Sequence, residues 1–279
     1  MRKVILYIVY GEDQAYYEGA LFSLLTFWNW VSEIDQIEFV VLTEKPEKFK
    51  NYPVKIISMS QEQKSEWSFE GKYHFRIKNR GLAFVMDKLK LKDKDKILFF
   101  DTDTYFHKSP LQLFNLIQPN QALFYLNEGL IYKRKRFDVY IKSLEGKQIE
   151  IEGQKYELSK KSAIWGSLMI GIMPNMRHSL EWADLLMKSF YEIVPSHTIE
   201  PFSLSESLLR NYNLVEGKNY VSLYSTSRKK EYARNVLAKF FQENKSLYID
   251  QKIILAQNIK IKRPSYIVFK QRFLKIFKV

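Results

Sequence analysis

The chain has no cysteine, so disulfides, thiolate zinc sites and cysteine nucleophiles are excluded. That absence suits a reducing compartment, and the expected location is cytoplasmic. Glycine and proline are scarce, at 10 and 8 residues of 279, which argues against a low-complexity or linker-rich chain. No apolar run spans a bilayer. The longest, near Ala20 to Val31 and Ala163 to Met173, are too short or too interrupted. Met1-Arg2-Lys3 leads into the apolar stretch Val4 to Val9, but no small-residue cleavage site follows, so the start does not read as a secretory signal. No Gly-x-Gly-x-x-Gly follows the first expected strand and there is no Walker A motif, against a dinucleotide fold of the hydride-transfer kind and against a P-loop. Acidic residues are outnumbered, 31 to 44, leaving a net charge of +13. That excess favours anionic partners such as nucleotides, phosphorylated substrates or an anionic membrane surface. Charge alone also admits nucleic acid, but no recognisable motif for it is present.

What is present alternates between strand and helix. Lys3 to Tyr10 reads as a buried strand closed by Gly11, and Gln14 to Val31 carries apolar residues at helical spacing. Strands at Ile37–Thr43 and Val54–Ser58 follow. This order predicts an α/β, Rossmann-like fold with a mostly parallel central sheet flanked by helices. Gly71 to Leu89 reads as a helix with Arg76, Lys78 and Arg80 clustered at its start, where free backbone N–H groups already favour anions. A solvated basic face is the equally ordinary reading of that cluster. Further on, strands are expected at Ala122–Leu126, Ala163–Met173 and Tyr220–Tyr224. Helices are expected at Pro110–Ile117, Arg177–Tyr191, Glu200–Arg210 and Lys229–Phe241. Residues 131–161 read as an insertion with a basic patch, Lys133 to Arg136, and a hairpin turning at Glu152-Gly153. One domain is expected over 1–245. The tail, 246–279, interleaves Lys and Arg with Phe, Ile and Tyr from Lys260 onward, the composition of an interfacial membrane segment.

The stretch Ile97-Leu-Phe-Phe-Asp101-Thr-Asp103 places two carboxylates directly after a buried, parallel-type strand. Open α/β sheets bind ligands at that end. If the extended conformation continues, Asp101 and Asp103 share a face and suit Mn²⁺ or Mg²⁺ on the phosphates of a nucleotide. An acidic strand end before a turn is the plain alternative. Gly166-Ser167, inside an apolar run, marks either a close backbone approach to a ligand or tight packing against a neighbour.

Taken in order, Ile8-Val-Tyr-Gly11, Val40-Val-Leu-Thr43, Tyr73-His-Phe-Arg-Ile-Lys78, Ile97 to Asp103, Asn127-Glu128 and Trp165-Gly-Ser-Leu-Met-Ile-Gly171 resemble bacterial nucleotide-sugar glycosyltransferases of the GT-A fold, related to glycosyltransferase family eight. The resemblance runs from Val4 to about Phe241. It implies transfer of a sugar from a nucleoside diphosphate donor, expected to be a UDP-sugar, to a glycan or lipid-linked acceptor. It implies that Asp101 and Asp103 hold the metal on the diphosphate, with Thr102 between them. Arg76 and Lys78 would lie near the phosphates or donor sugar, Tyr10 and Gly11 would border the base, and Gly166 and Ser167 would floor the acceptor side. Glu128, Glu200 and Glu206 are the acid/base candidates, and no spacing decides among them. The tail would meet an anionic membrane.

Two positions depart from that pattern. Relatives carry Glu-Gln-Phe where this chain has Glu200-Pro201-Phe202. They also carry His-Tyr at the end of the late strand, the His completing the metal shell, where this chain has Leu223-Tyr224. Leucine cannot ligate a metal, so a catalytically impaired transferase that binds membrane or a partner is the second expectation. A dehalogenase-type phosphatase shares the Asp-x-Asp letters, but Tyr105 stands where that class has Thr or Val, and the strand follows several α/β elements, about a third of the way along the chain.

Overall fold

The structure is a computed structural model that describes residues 1–32 and 35–261. Its centre is a seven-stranded sheet built from β1 (Lys3–Val9), β2 (Ile37–Thr43), β3 (Lys55–Ser58), β4 (Lys96–Phe100), β6 (Gln121–Leu130), β9 (Ala163–Ile172) and β10 (Asn213–Glu216), in the order β10-β6-β9-β4-β1-β2-β3. Every pairing is parallel except the two made by β9, which runs against β4 and β6. The mostly parallel sheet is therefore as expected. The β4 strand is parallel to β1 on one side only, because its other neighbour is β9. Short strands complete the set: β5 (Thr104–Tyr105) pairs with β11 (Ser222–Leu223), and β7 (Ile149–Ile151) with β8 (Gln154–Tyr156).

Alternation along the central strands fills two cores. Val4, Leu6, Ile8, Ile97 and Phe99 face one core, and Ile5, Tyr7, Val9, Leu98 and Phe100 face the other. Helices α3 (Arg76–Lys88), α5 (Arg177–Tyr191) and α6 (Ile199–Leu209) cover the first side. On the other side lies α1 (Gln14–Trp28), started by the Asp13 carboxylate, which accepts from the N–H of Ala15 at 3.0 Å. The α1 helix is buried on nearly all faces because α7 (Ser227–Glu243) and α8 (Ile249–Ala256) pack on its outer surface, joining Phe22 and Leu25 to Ala233, Leu237, Phe240 and Ala256. Two further helices, α2 (Gln61–Trp67) and α4 (Asp138–Leu144), sit at the periphery. Within 131–161 the expected hairpin is present as β7–β8. Both its turn residues, Glu152 and Gly153, have positive φ (46° and 76°), as a tight two-residue turn requires.

Sequence reading missed α2, α4, α8, β5 and β10. It also overran the late strand, where Lys218–Tyr220 forms a 3₁₀ turn and only Ser222–Leu223 pairs. No helix among the described residues is long and apolar enough to cross a membrane. The basic-aromatic segment expected to meet one lies outside the described residues from residue 262 onward.

Candidate functional site

The β4 alternation continues one step past the strand. The Asp101 N–H donates to the carbonyl of Leu168 on β9 at 2.9 Å, and Asp101 falls on the same side as Phe99. There it meets α3. The Lys78 ammonium lies 3.6 Å from Asp101 Oδ2 and 3.3 Å from Glu200 Oε2, and it donates to the carbonyl and Oγ of Ser167 at 3.1 and 3.0 Å. Ser167 Oγ in turn donates to Glu200 Oε2 at 2.9 Å. One cation thus joins α3, β4, β9 and α6 at the C-terminal edge of the sheet's parallel strands. Only 11% of the Lys78 side chain and 2% of Glu200 remain exposed, against 27% of Asp101.

Burial at this point raises the proton affinity of both acids. Glu200 is shifted up by loss of water, which outweighs the opposing Lys78 charge and the Ser167 hydroxyl. Asp101 is raised for the same reason, opposed by Lys78 and reinforced by the Asp103 and Glu200 carboxylates. Burial acts against the Lys78 charge, but Asp101 and Glu200 outweigh it and hold the proton more firmly. Tyr10 closes the cluster from β1. Its hydroxyl donates to the His74 carbonyl at 3.0 Å, and burial, with Asp101 and Glu200 nearby, keeps it protonated.

The chain does not stay extended through the motif. Thr104 Oγ1 donates back to the Asp101 carbonyl at 2.7 Å, closing a turn over Thr102 and Asp103. The expectation that Asp101 and Asp103 share a strand face therefore fails, and the two carboxylates meet different lysines. Asp103 Oδ2 is 3.0 Å from Lys230 on α7. Its Oδ1 is buried without a hydrogen-bond partner among the described residues, as is Oε1 of Glu200. A cavity of about 30 Å³ borders Asp103, lined by Ala15, Tyr16, Thr102, Tyr224, Lys230 and Arg234, the volume of roughly one water or ion. Gly19 lets α1 approach this turn: a Cβ there would come within 2.5 Å of the Thr102 carbonyl oxygen. A larger groove, about 730 Å³ between α1, residues 51–53 and α7–α8, contains none of these groups.

Leu223 sits directly across β5, paired with Thr104 and so one residue from Asp103. The position expected to carry a third ligand does lie against the motif, and it is apolar. Among the described residues no group of three His, Asp or Glu side chains is arranged to hold a metal. The unpartnered Asp103 oxygen could serve a divalent cation with water in the rest of its shell, but Lys230 and Arg234 also line that cavity and Asp101 does not.

The chain matches no protein-family model and no curated protein.

Of four other expected site residues, Arg76 and Glu206 have partners away from this cluster and Glu128 and Gly11 sit at its edge. Arg76 is buried and faces α5: its guanidinium makes a bidentate pair with Asp184 at 2.6 and 2.9 Å, donates to the Glu66 carbonyl and lies over the Phe69 ring. Three of its five N–H donors are used there and the side chain is buried against α5, away from Asp101 and Lys78. Glu206 accepts from Tyr156 and Ser162, each at 2.9 Å, and ties the β7–β8 hairpin to α6. Glu128 pairs with Arg136 at 2.9 Å on the flank beside Gly166. Gly11, at φ 94°, donates its N–H to the Glu44 carboxylate and accepts from Tyr17 at 2.9 Å, making it the turn that sets Tyr10. Sequence reading missed Lys230 and Arg234. They come from a helix more than a hundred residues past the motif, and no local pattern connects them to it.

Proposed function

We propose that this chain is a GT-A-type glycosyltransferase that moves a sugar from a nucleoside diphosphate donor, with UDP-sugar the first candidate, to a glycan or lipid-linked acceptor. The observation that carries this reading is the convergence of Asp101, Lys78, Glu200 and Ser167, with Asp103 and Lys230 beside them, at the ligand-binding edge of the parallel strands. Asp101 and Asp103 would hold Mn²⁺ or Mg²⁺, which supplies Lewis-acid neutralisation of the departing diphosphate.

The protein's own groups account for the rest. Lys230, exposed enough to turn from Asp103, is placed to exchange that carboxylate for a phosphate oxygen. Lys78 is held by three partners and offers a fixed positive charge at low dielectric, where an ammonium stabilises developing negative charge more strongly than in water. Glu200, biased toward its protonated form, can hold a proton at Oε1 or orient a sugar hydroxyl from there. Tyr10 lines the mouth next to His74, on the side assigned to the base. The expected contact with an anionic membrane belongs to the same reading and rests on the sequence of the tail.

Release of nucleoside diphosphate from a nucleotide sugar, abolished by Lys78→Met, tests this assignment. Release of inorganic phosphate from a phosphomonoester, with nucleotide sugars untouched, would identify a phosphatase instead. Leu223 favours one second reading, a scaffold that binds a donor and transfers nothing. Donor binding with no turnover on any acceptor would select it.

A further inference from the structure

The basic patch at Lys133 to Arg136 has no part in donor binding as described, yet it stands on the acceptor flank. The β6 strand ends at Leu130, and two 3₁₀ turns, Ile131–Lys133 and Lys135–Phe137, then carry the chain along the rim. Ile131 and Phe137 are buried and anchor this segment at both ends, while Lys133, Arg134, Lys135 and Arg136 are all exposed. One of the four is held in place, and a second is given room. Arg136 donates to the Glu128 carbonyl at 3.0 Å and pairs with the Glu128 carboxylate at 2.9 Å, its guanidinium lying over the Phe137 ring. Arg134 lies where a side chain at residue 129 would be: a Cβ on Gly129 would come within 2.8 Å of its Nε. Gly129 has a φ of 112°, a conformation that suits glycine and leaves that space to the arginine.

These arginines reach toward the site. The Glu128 carboxylate approaches Gly166, whose neighbour Ser167 bonds both Lys78 and Glu200. Arg136, tied to the Glu128 carbonyl and carboxylate, and exposed Arg134 beside Gly129 put two guanidinium groups on this rim, with one acid between Arg136 and Gly166. Such a pair suits phosphoryl oxygens, which arginine binds through two parallel N–H bonds. Pre-fixing Arg136 also lowers the entropy cost of binding.

We infer that the acceptor carries a phosphoryl group, on a lipid carrier or on the glycan itself, and that Arg134 and Arg136 bind it. This rests on the transferase reading, so its test separates the two. Calorimetric titrations would compare wild type with the double substitution Arg134→Gln/Arg136→Gln. UDP with Mn²⁺ is titrated first. At saturating UDP, geranyl phosphate and glucose 6-phosphate are each titrated beside geraniol and glucose. The expected result is at least tenfold tighter binding of a phosphorylated compound than of its neutral counterpart, lost in the double variant while UDP affinity is unchanged. An intermediate loss is expected for Arg134→Lys/Arg136→Lys, which keeps the charge but not the paired donors. Preference for geranyl phosphate assigns the group to a lipid carrier, and preference for glucose 6-phosphate to a glycan. Equal binding of phosphorylated and neutral compounds, or a preference that survives both double substitutions, overturns the inference. Failure of UDP to bind wild type, with the arginine-dependent preference intact, keeps the anion site and removes the transferase reading.

Discussion

Lys78 Nζ stands 3.6 Å from Asp101 Oδ2, so the first carboxylate of the Asp-x-Asp motif is matched by a nearly buried ammonium from another element. The same ammonium serves Glu200 and Ser167. Replacing Lys78 by Met leaves two carboxylates facing each other without their cation. Breaking a buried pair from one side costs about 3–5 kcal/mol, and uptake of a proton by Asp101 or Glu200 would recover part of that. Lys78→Met should therefore lower stability in urea unfolding by about 2–3 kcal/mol and weaken nucleoside diphosphate binding at least tenfold. Unchanged donor affinity would remove Lys78 from the site.

Arg76 should behave in the opposite way. Its bidentate bond to buried Asp184 makes Arg76→Ala destabilising by about 3 kcal/mol, the low end for such a loss, because Arg80 and Lys188 remain near that carboxylate at 3.8 and 3.5 Å. Donor affinity, measured at a temperature where the variant is folded, should stay within about twofold of wild type. A selective loss of donor binding would return Arg76 to the role its sequence position had suggested.

The difference between these two residues was partly legible. Lys78 shares the α3 face of Leu82 and Val85, at i, i+4 and i+7, so the apolar stripe itself contains a cation, which is unusual unless that cation has buried partners. Arg76 lies two residues away and points elsewhere. Its burial depends on Asp184 of α5, a contact no local pattern carries. Strand positions were legible because β1, β2 and β4 are apolar on both faces, as central strands covered on both sides must be. The reversal of β9 was not, since a run buried on both sides looks the same in either direction. The turn at Thr102 was hidden for a related reason: it is closed by Thr104 Oγ1, and β5 exists only because β11 comes back from residue 222 to pair with it.

Stability should depend on pH through Glu200. Burial raises its folded-state proton affinity above that of the unfolded chain. Its favourable contribution is therefore fully present below the unfolded value, about 4.3, and is lost as pH rises through the folded value. Glu200→Gln removes this dependence. Relative to wild type, the Gln variant should gain stability in urea unfolding between about pH 5 and about pH 8. A wild-type-to-variant difference that stays constant over that range would contradict the assignment.

Leu223 offers a gain-of-function test. It pairs with Thr104 beside Asp103, so Leu223→His would add an imidazole next to the Asp103 carboxylate. Neutral imidazole is a common ligand for Mn²⁺-type cations. Mn²⁺ affinity, followed by electron paramagnetic resonance of the free ion, should rise about tenfold, within the range expected for a single metal-shell change. An unchanged affinity would place the cation away from Asp103.

The central claim is that a nucleoside diphosphate sugar binds at the edge formed by Asp101, Asp103, Lys78 and Lys230. Its most direct test is calorimetric titration of wild type and Asp103→Asn with a panel of nucleoside diphosphate sugars in the presence of Mn²⁺. The account predicts binding of at least one donor by wild type and at least a tenfold loss in the variant. Absence of binding to every donor in the panel, or equal affinity in both proteins, would contradict it.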